Sequence, residues 1–158
     1  MSDAGCTRLC IGSNTVHILL EDLQRETDIE FISMISLVAN RCKQMKVRRV
    51  GILGTPVLLN SGLYTKELKD NGIEAVLPTE QQISVVEGII RSVIAGNSHH
   101  QKKQEYIDTL NDLFSKGAEA VILGCTELPL AINYEALGNK TINSDGVLAE
   151  GIVDYYYK

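Results

Sequence analysis

Short apolar runs alternate with amphipathic stretches along the whole chain. Arg8 to Gly12 reads as a strand, and Val16 to Leu23 as the helix after it. Ile29 to Ile35 is apolar and β-branched, which predicts a strand or an extended link. Ser36 to Lys46 has helical spacing through Leu37, Val38 and Met45. Val47 to Gly54 predicts a buried strand, with "RRVGILG" as its body. Asn60 to Asn71 then presents Leu63, Tyr64 and Leu68 on one face of a helix that Gly72 stops. Ile73 to Leu77 is the next strand, ended by Pro78.

Thr79 to Ala95 predicts a helix with Thr79 as N-cap and Gln82 completing a capping box, stopped at Gly96. Gln101 to Lys116 predicts another, since Tyr106, Ile107, Leu110, Leu113 and Phe114 follow 3.6-residue spacing up to Gly117. Ala120 to Leu123 is the most apolar strand. Lys140 to Asn143 reads as one more, and Gly146 to Tyr157 as a last helix. Strands alternating with helices imply right-handed βαβ units, so the expected class is α/β: a parallel sheet flanked by helices.

In such sheets the site lies beyond the carboxyl ends of the strands. Three loops follow strands there and carry small or hydroxyl residues: Gly12–Thr15, Gly54–Ser61 and Gly124–Leu128. "GSNT" and "GCTE" share a layout, which hints at an internal duplication. Cys125 at a strand tip has a thiol whose pKa exposed N–H groups and a helix dipole would lower. The same N–H groups and the Thr126 hydroxyl would hold a carboxylate. That pairing suits nucleophilic attack or proton abstraction; equally, a small buried cysteine is what most free cysteines are. Ser13, Asn14 and Thr15 read as a second cradle or as the N-cap of the following helix. Thr55 reads as an anion-loop residue or a cap. Glu127 orients a neighbour or favours a helix start. His17 reads as a supporting residue, and His99–His100 as a solvated loop.

Composition narrows the partners. A net charge of −5 with one short basic cluster, Lys43 to Arg49, argues against nucleic acid and anionic membrane. No apolar run approaches the ~20 residues that span a bilayer. The N-terminus lacks the charged and apolar regions of a signal peptide. Four cysteines, Cys6, Cys10, Cys42 and Cys125, fit no zinc spacing. Cys6 and Cys10 fall in a strand-like run and Cys42 in a helical one, so Cys125 is expected to be the most reactive. Free thiols point to a cytoplasmic location and no bound metal. The GxGxxG and GxxxxGK[ST] nucleotide motifs are absent.

"GCTELPL", Gly124 to Leu130, resembles the second signature of the aspartate/glutamate racemase family, and "GSNTVH", Gly12 to His17, resembles the first. "VGILGT", "SGLY" and "GIEAVLPTEQQ" match the aspartate-racemase branch in order and spacing. The resemblance implies two similar flavodoxin-like lobes, with residues 47–143 as the C-terminal lobe. Residues 1–46 are then a remnant of the N-terminal lobe, on which 144–158 packs back. It implies racemisation of aspartate or glutamate without pyridoxal phosphate, metal or other cofactor, by two cysteines that flank Cα. A truncated lobe should leave apolar surface uncovered, which favours association, so a homo-oligomer is expected, as a dimer. Carried over by position, Cys125 is one acid/base, Asn14, Thr15, Thr55 and Thr126 bind substrate, and His17 and Glu127 support.

Four departures stand against full activity. Ser13 occupies the position of the first catalytic cysteine. Leu58 replaces a usual threonine and Asn143 a common aspartate. The family's first strand and Gly-rich loop have no counterpart before Gly5. The expected function is therefore a racemase homologue, impaired by Ser13 and truncation. The alternatives are a non-catalytic dicarboxylate-binding or assembly protein of the same fold, and a relative of maleate isomerases and decarboxylases.

Overall fold

The structure, a computed structural model, describes residues 5–97, 103–131 and 140–157. Four parallel strands form the main sheet in the order β4-β3-β5-β6: β3 (Arg49–Leu53), β4 (Glu74–Val76), β5 (Ala120–Leu123) and β6 (Thr141–Asn143). β3 and β5 are central, in register from Val50 opposite Ala120 to Leu53 opposite Leu123. Their near-continuous apolar sequence follows from burial on both faces. Ile52 and Ile122 point to one side, where α2 (Met34–Gln44), α4 (Leu63–Asp70) and α8 (Ser144–Tyr156) pack. Leu53, Val121 and Leu123 point to the other, under α5 (Glu80–Ile94) and α6 (Lys103–Ser115). This is the expected parallel α/β sheet. The strands foreseen at 47–54, 73–77 and 120–123 all lie in it.

A second, two-stranded parallel sheet pairs β1 (Leu9–Cys10) with β2 (Phe31–Ile32). Residue 46 falls between α2 and β3. Yet α2 and α8 share one apolar cluster with the four-stranded sheet, through Val38, Ala39 and Leu148 against Val50 and Ile142.

Several local expectations change. Residues 29–35 are not one strand: Ser33 caps α2 by accepting from the Ser36 N–H, so Met34 and Ile35 are helical. The helix expected at 16–23 divides into a 3-10 turn, Thr15–Leu19, and α1 (Leu20–Arg25). The helix expected at 60–71 is two helices, α3 (Pro56–Ser61) and α4. Gly62, at φ 69, turns the chain between them, and this left-handed conformation suits glycine. Thr55 and Pro56 start α3 as cap and first residue, a signal present in the sequence. The last helix begins at Ser144 rather than Gly146, because Asn143 accepts from the Asp145 N–H as its cap. The Thr79–Gln82 capping box forms as expected, with both reciprocal hydrogen bonds. His99 and His100 lie outside the described residues.

Gly54 and Gly124 let the central strand ends close together: a Cβ on Gly54 would lie 2.8 Å from Leu58 Cδ2 and 3.3 Å from the Gly124 carbonyl oxygen. A Cβ on Gly124 would lie 2.9 Å from the Leu53 carbonyl oxygen and 2.9 Å from Leu58 Cδ2. The Gly124 N–H donates to that same Leu53 oxygen at 2.7 Å. The neighbour is backbone, so it cannot step aside. Gly124→Ala is expected to cost about 1–3 kcal/mol. Gly146→Ala, whose Cβ meets only ordinary contacts at 3.7 Å and beyond, is expected to be neutral or stabilising. Urea unfolding of both variants checks the contrast.

Candidate functional site

The three strand-end loops foreseen from sequence meet at one pocket of about 250 Å³. Gly12, Ser13, Asn14 and Thr15 line it after β1, Thr55 after β3, and Gly124, Cys125, Thr126 and Glu127 after β5. Ile90 and Ile94 of α5 form its apolar wall. The two similar tetrapeptides, 12–15 and 124–127, therefore face one space. Larger recesses lie elsewhere: one of about 840 Å³ runs along α2 and α8, bordered by Leu37, Arg41 and Glu150. Arg41 pairs with Glu150 there, and no thiol or hydroxyl lines it, so size and chemistry part company.

Cys125 is half-buried and donates its thiol to Glu127 Oε2 at 2.9 Å. The Thr126 hydroxyl donates to the same oxygen at 2.7 Å. Thr15 and Thr55 join across the pocket through their hydroxyls, 3.1 Å apart. Leu58, in place of the family's threonine, is buried, its side chain lying where a Cβ on Gly54 or Gly124 would go.

Asn14 is only 3% exposed. It donates to Ser144 Oγ at 2.9 Å, and Tyr64 Oη donates to its Oδ1 at 2.6 Å. Ser144 in turn donates to the Leu123 carbonyl oxygen at 2.9 Å. This buried chain ties the 12–15 loop to α4, α8 and β5. The Asn14 amide is thus largely committed to the scaffold.

His17 lies behind the pocket, 3% exposed. Its Nε2 accepts the Met34 backbone N–H at 3.0 Å, so the ring proton is on Nδ1 and is donated to the Ser13 carbonyl oxygen at 2.7 Å. The ring fixes the Ser13 backbone. Burial holds its pKa below the ordinary 6.5, against the opposing bond to Ser13. Its folded pKa is depressed, so its contribution to stability is complete above the unfolded value and lost as pH falls below it. The unfolding midpoint is expected to drop between about pH 7 and pH 5, and His17→Gln is expected to flatten that drop. Thermal melts across that range check it.

The electrostatics correct one expectation. The Cys125 thiol is pushed up to about 12, first by burial and then by its bond to the Glu127 carboxylate. α7 (Leu128–Ala131) has only four residues and starts three positions later, so little dipole reaches the sulfur. Burial opposes charge on Glu127, but the bonds from Cys125, Thr126 and the backbone outweigh it and hold the carboxyl below its ordinary value. Asp145 is pushed up by burial and by Glu127. Burial likewise pushes Cys42 up to about 12. Cys6 and Cys10, expected in an apolar run, are exposed. Brief alkylation at neutral pH should therefore label Cys6 and Cys10 before Cys125, with Cys42 last. Peptide mapping by mass spectrometry reads the order.

Sequence reasoning missed Ile90 and Ile94, whose spacing is that of any core-facing helix. It also missed Tyr64, Ser144 and Asp145, which reach the site from distant parts of the chain. Among the described residues no cluster of three or more His, Cys, Asp or Glu could hold a metal, and no helix is long and apolar enough to cross a membrane.

A pocket lined by a thiol and several hydroxyls, between two matching loops that follow β1 and β5, marks this as an α/β protein with its candidate site at the carboxyl ends of its strands. The chain belongs to the Asp/Glu/Hydantoin racemase family, which residues 1–145 match. It is 26% identical over 158 residues to the broad specificity amino-acid racemase of Bacillus subtilis (strain 168), covering 99% of this chain and 67% of that protein. It is 33% identical over 131 residues to the glutamate racemase of Persephonella marina, covering 80% of this chain and 48% of that one. An aspartate racemase homologue from Pyrococcus horikoshii OT3 superposes with a TM-score of 0.86 at 30% identity, over 99% of this chain and 70% of that chain.

Proposed function

We propose that this chain binds a small acidic amino acid in the Ser13–Cys125 pocket and exchanges its α-proton on one face only. The observation that carries the reading is the Cys125 thiol bonded to the ionised Glu127, in a hydroxyl-lined pocket that also holds Ser13. The substrate carboxylate would meet the hydroxyls of Thr15, Thr55 and Thr126. Glu127 takes the thiol proton, and the thiolate then takes the proton from Cα. The C–H electron pair passes into the substrate carboxylate as an enolate, which the hydroxyls stabilise. Return of the proton by Cys125 restores the same enantiomer. Inversion needs a second acid on the opposite face, and a serine hydroxyl titrates too high to supply it.

A second reading, a binder without chemistry, is favoured by the thiol at about 12, which keeps it protonated. Exposed Ile152, Val153, Tyr155 and Tyr156 on α8 support self-association of the chain. Incubation of L- and D-aspartate and glutamate in heavy water, read by NMR and chiral chromatography, tests the function. Deuterium in one enantiomer without appearance of the other is expected. Binding without exchange would select the second reading, and scrambling of both enantiomers would overturn both.

A further inference from the structure

We propose that Tyr64 and Ser144 are positioning residues of the pocket, which act through the Asn14 side chain to hold the Ser13–Thr15 loop in place opposite Cys125. The inference rests on the reading of this pocket as the ligand site, and one arm of its test needs no ligand.

The two matching loops belong to different sheets. The 12–15 loop follows β1 of the two-stranded sheet, and the 124–127 loop follows β5 of the four-stranded one. Among the described residues no strand pairing joins the two sheets, so side chains set the span between Ser13 and Cys125. Hydrogen bonds cross it in two places: Thr15 to Thr55, and Asn14 to Tyr64 of α4 and Ser144 of α8.

The sense of the Asn14 chain is fixed from its far end. The Leu123 carbonyl can only accept, so Ser144 Oγ donates its proton there, at 2.9 Å, and accepts from Asn14. Asn14 Nδ2 therefore faces Ser144, at 2.9 Å, and Oδ1 faces the Tyr64 hydroxyl, its donor at 2.6 Å. Burial first, and then Cys42 and Asp145, push the Tyr64 phenol upward, which keeps it a donor. Tyr64, Asn14 and Ser144 are 2%, 3% and 0% exposed, so water does not replace a lost partner. One end of the chain is Leu123, two residues before Cys125. Asn14, near the other end, lies between Ser13 and Thr15.

The Thr15–Thr55 bond cannot hold the loop once a ligand is bound. It joins two hydroxyls that would meet the ligand carboxylate. Each has one proton, so when both donate to the carboxylate the bond between them opens. His17 fixes the Ser13 carbonyl only to the start of α2. The buried Asn14 chain is then what keeps the loop in register with α4, α8 and β5.

The test compares the native chain with Tyr64→Phe, Ser144→Ala and the double variant. Each substitution removes a hydroxyl and adds no bulk. Amide hydrogen exchange, read by mass spectrometry, is expected to speed up roughly tenfold in the peptide over residues 11–19, with peptides over β3 and β5 unmoved. Binding of L-aspartate, titrated where every variant is folded, is expected to weaken by roughly tenfold in each single variant. The double variant is expected to lose little more than either one, because both act through one amide. A merely structural pair would lower the unfolding midpoint and leave the affinity unmoved, and that result overturns the proposal. Unmoved exchange over residues 11–19, losses that multiply in the double variant, or failure of both single variants to fold also overturn it. If one single variant fails to fold, the other decides. If exchange speeds up as expected but the native chain binds no amino acid, the positioning role stands and the proposed ligand alone falls.

Discussion

Cys125→Ala is expected to reduce α-proton exchange to the solvent rate, a loss on the order of 10²–10⁴-fold for a single general base. The same substitution at the other side of the pocket, Ser13→Ala, is expected to change exchange by only a few-fold. The asymmetry follows from the hydrogen bonds. The Cys125 thiol has a proton acceptor at 2.9 Å in Glu127. Among the described residues the Ser13 hydroxyl has one weak contact, accepting from the Val16 N–H at 3.5 Å, and no bond to a base. His17, the nearest candidate in sequence, has both ring nitrogens bound to backbone, so it cannot relay a proton to Ser13 Oγ without breaking one of those bonds. Ser13→Cys puts a thiol at the second position but no carboxylate partner. It is expected to recover little inversion on its own. Binding measured by titration should be nearly unchanged in Cys125→Ala, which separates a lost base from a lost pocket. Equal losses in Cys125→Ala and Ser13→Ala would sink the one-face mechanism.

The sheet and the loops of the site were readable because each follows from a local rule. β3 and β5 are apolar runs too short for helices, and the chain after them turns at Gly54 and Gly124. Parallel strands put their carboxyl ends on one edge, so the loops after β3 and β5 had to converge, whereas the 12–15 loop follows β1 of the separate two-stranded sheet and is tied in through Asn14. The helix break at Gly62 was harder. Leu63, Tyr64 and Leu68 mark one helical face, and the helix expected from Asn60 ran across the glycine without using the Thr55–Pro56 start signal. The role of Asn14 was not readable at all. It depends on Tyr64 and on Ser144, 130 positions away, and nothing local marks them as its partners. The direction of the Cys125 shift also went astray. An exposed N–H cradle was inferred from a strand tip, but the side chain turned toward Glu127 and the apolar core, where burial dominates.

Glu127→Gln is the variant that separates burial from charge at the thiol. In the native chain burial, the bond to Glu127 and the charges of Glu127 and Asp145 all raise the Cys125 pKa. Glutamine keeps the shape and an acceptor oxygen but removes one negative charge. It also relieves Asp145, whose carboxyl Glu127 pushes upward. The net expectation is a fall in the Cys125 pKa, with labelling by alkylating agents at about pH 8 faster by roughly tenfold for each unit of the fall. Exchange at Cα is expected to move the other way, because glutamine cannot take the thiol proton. A thiol that is more reactive toward alkylation and less competent in proton exchange is the signature of a relay carboxylate. If Glu127 only braced the turn through Thr126, both rates would fall together as the loop loosened. Parallel alkylation and deuterium-exchange rates on the native chain and Glu127→Gln distinguish the two.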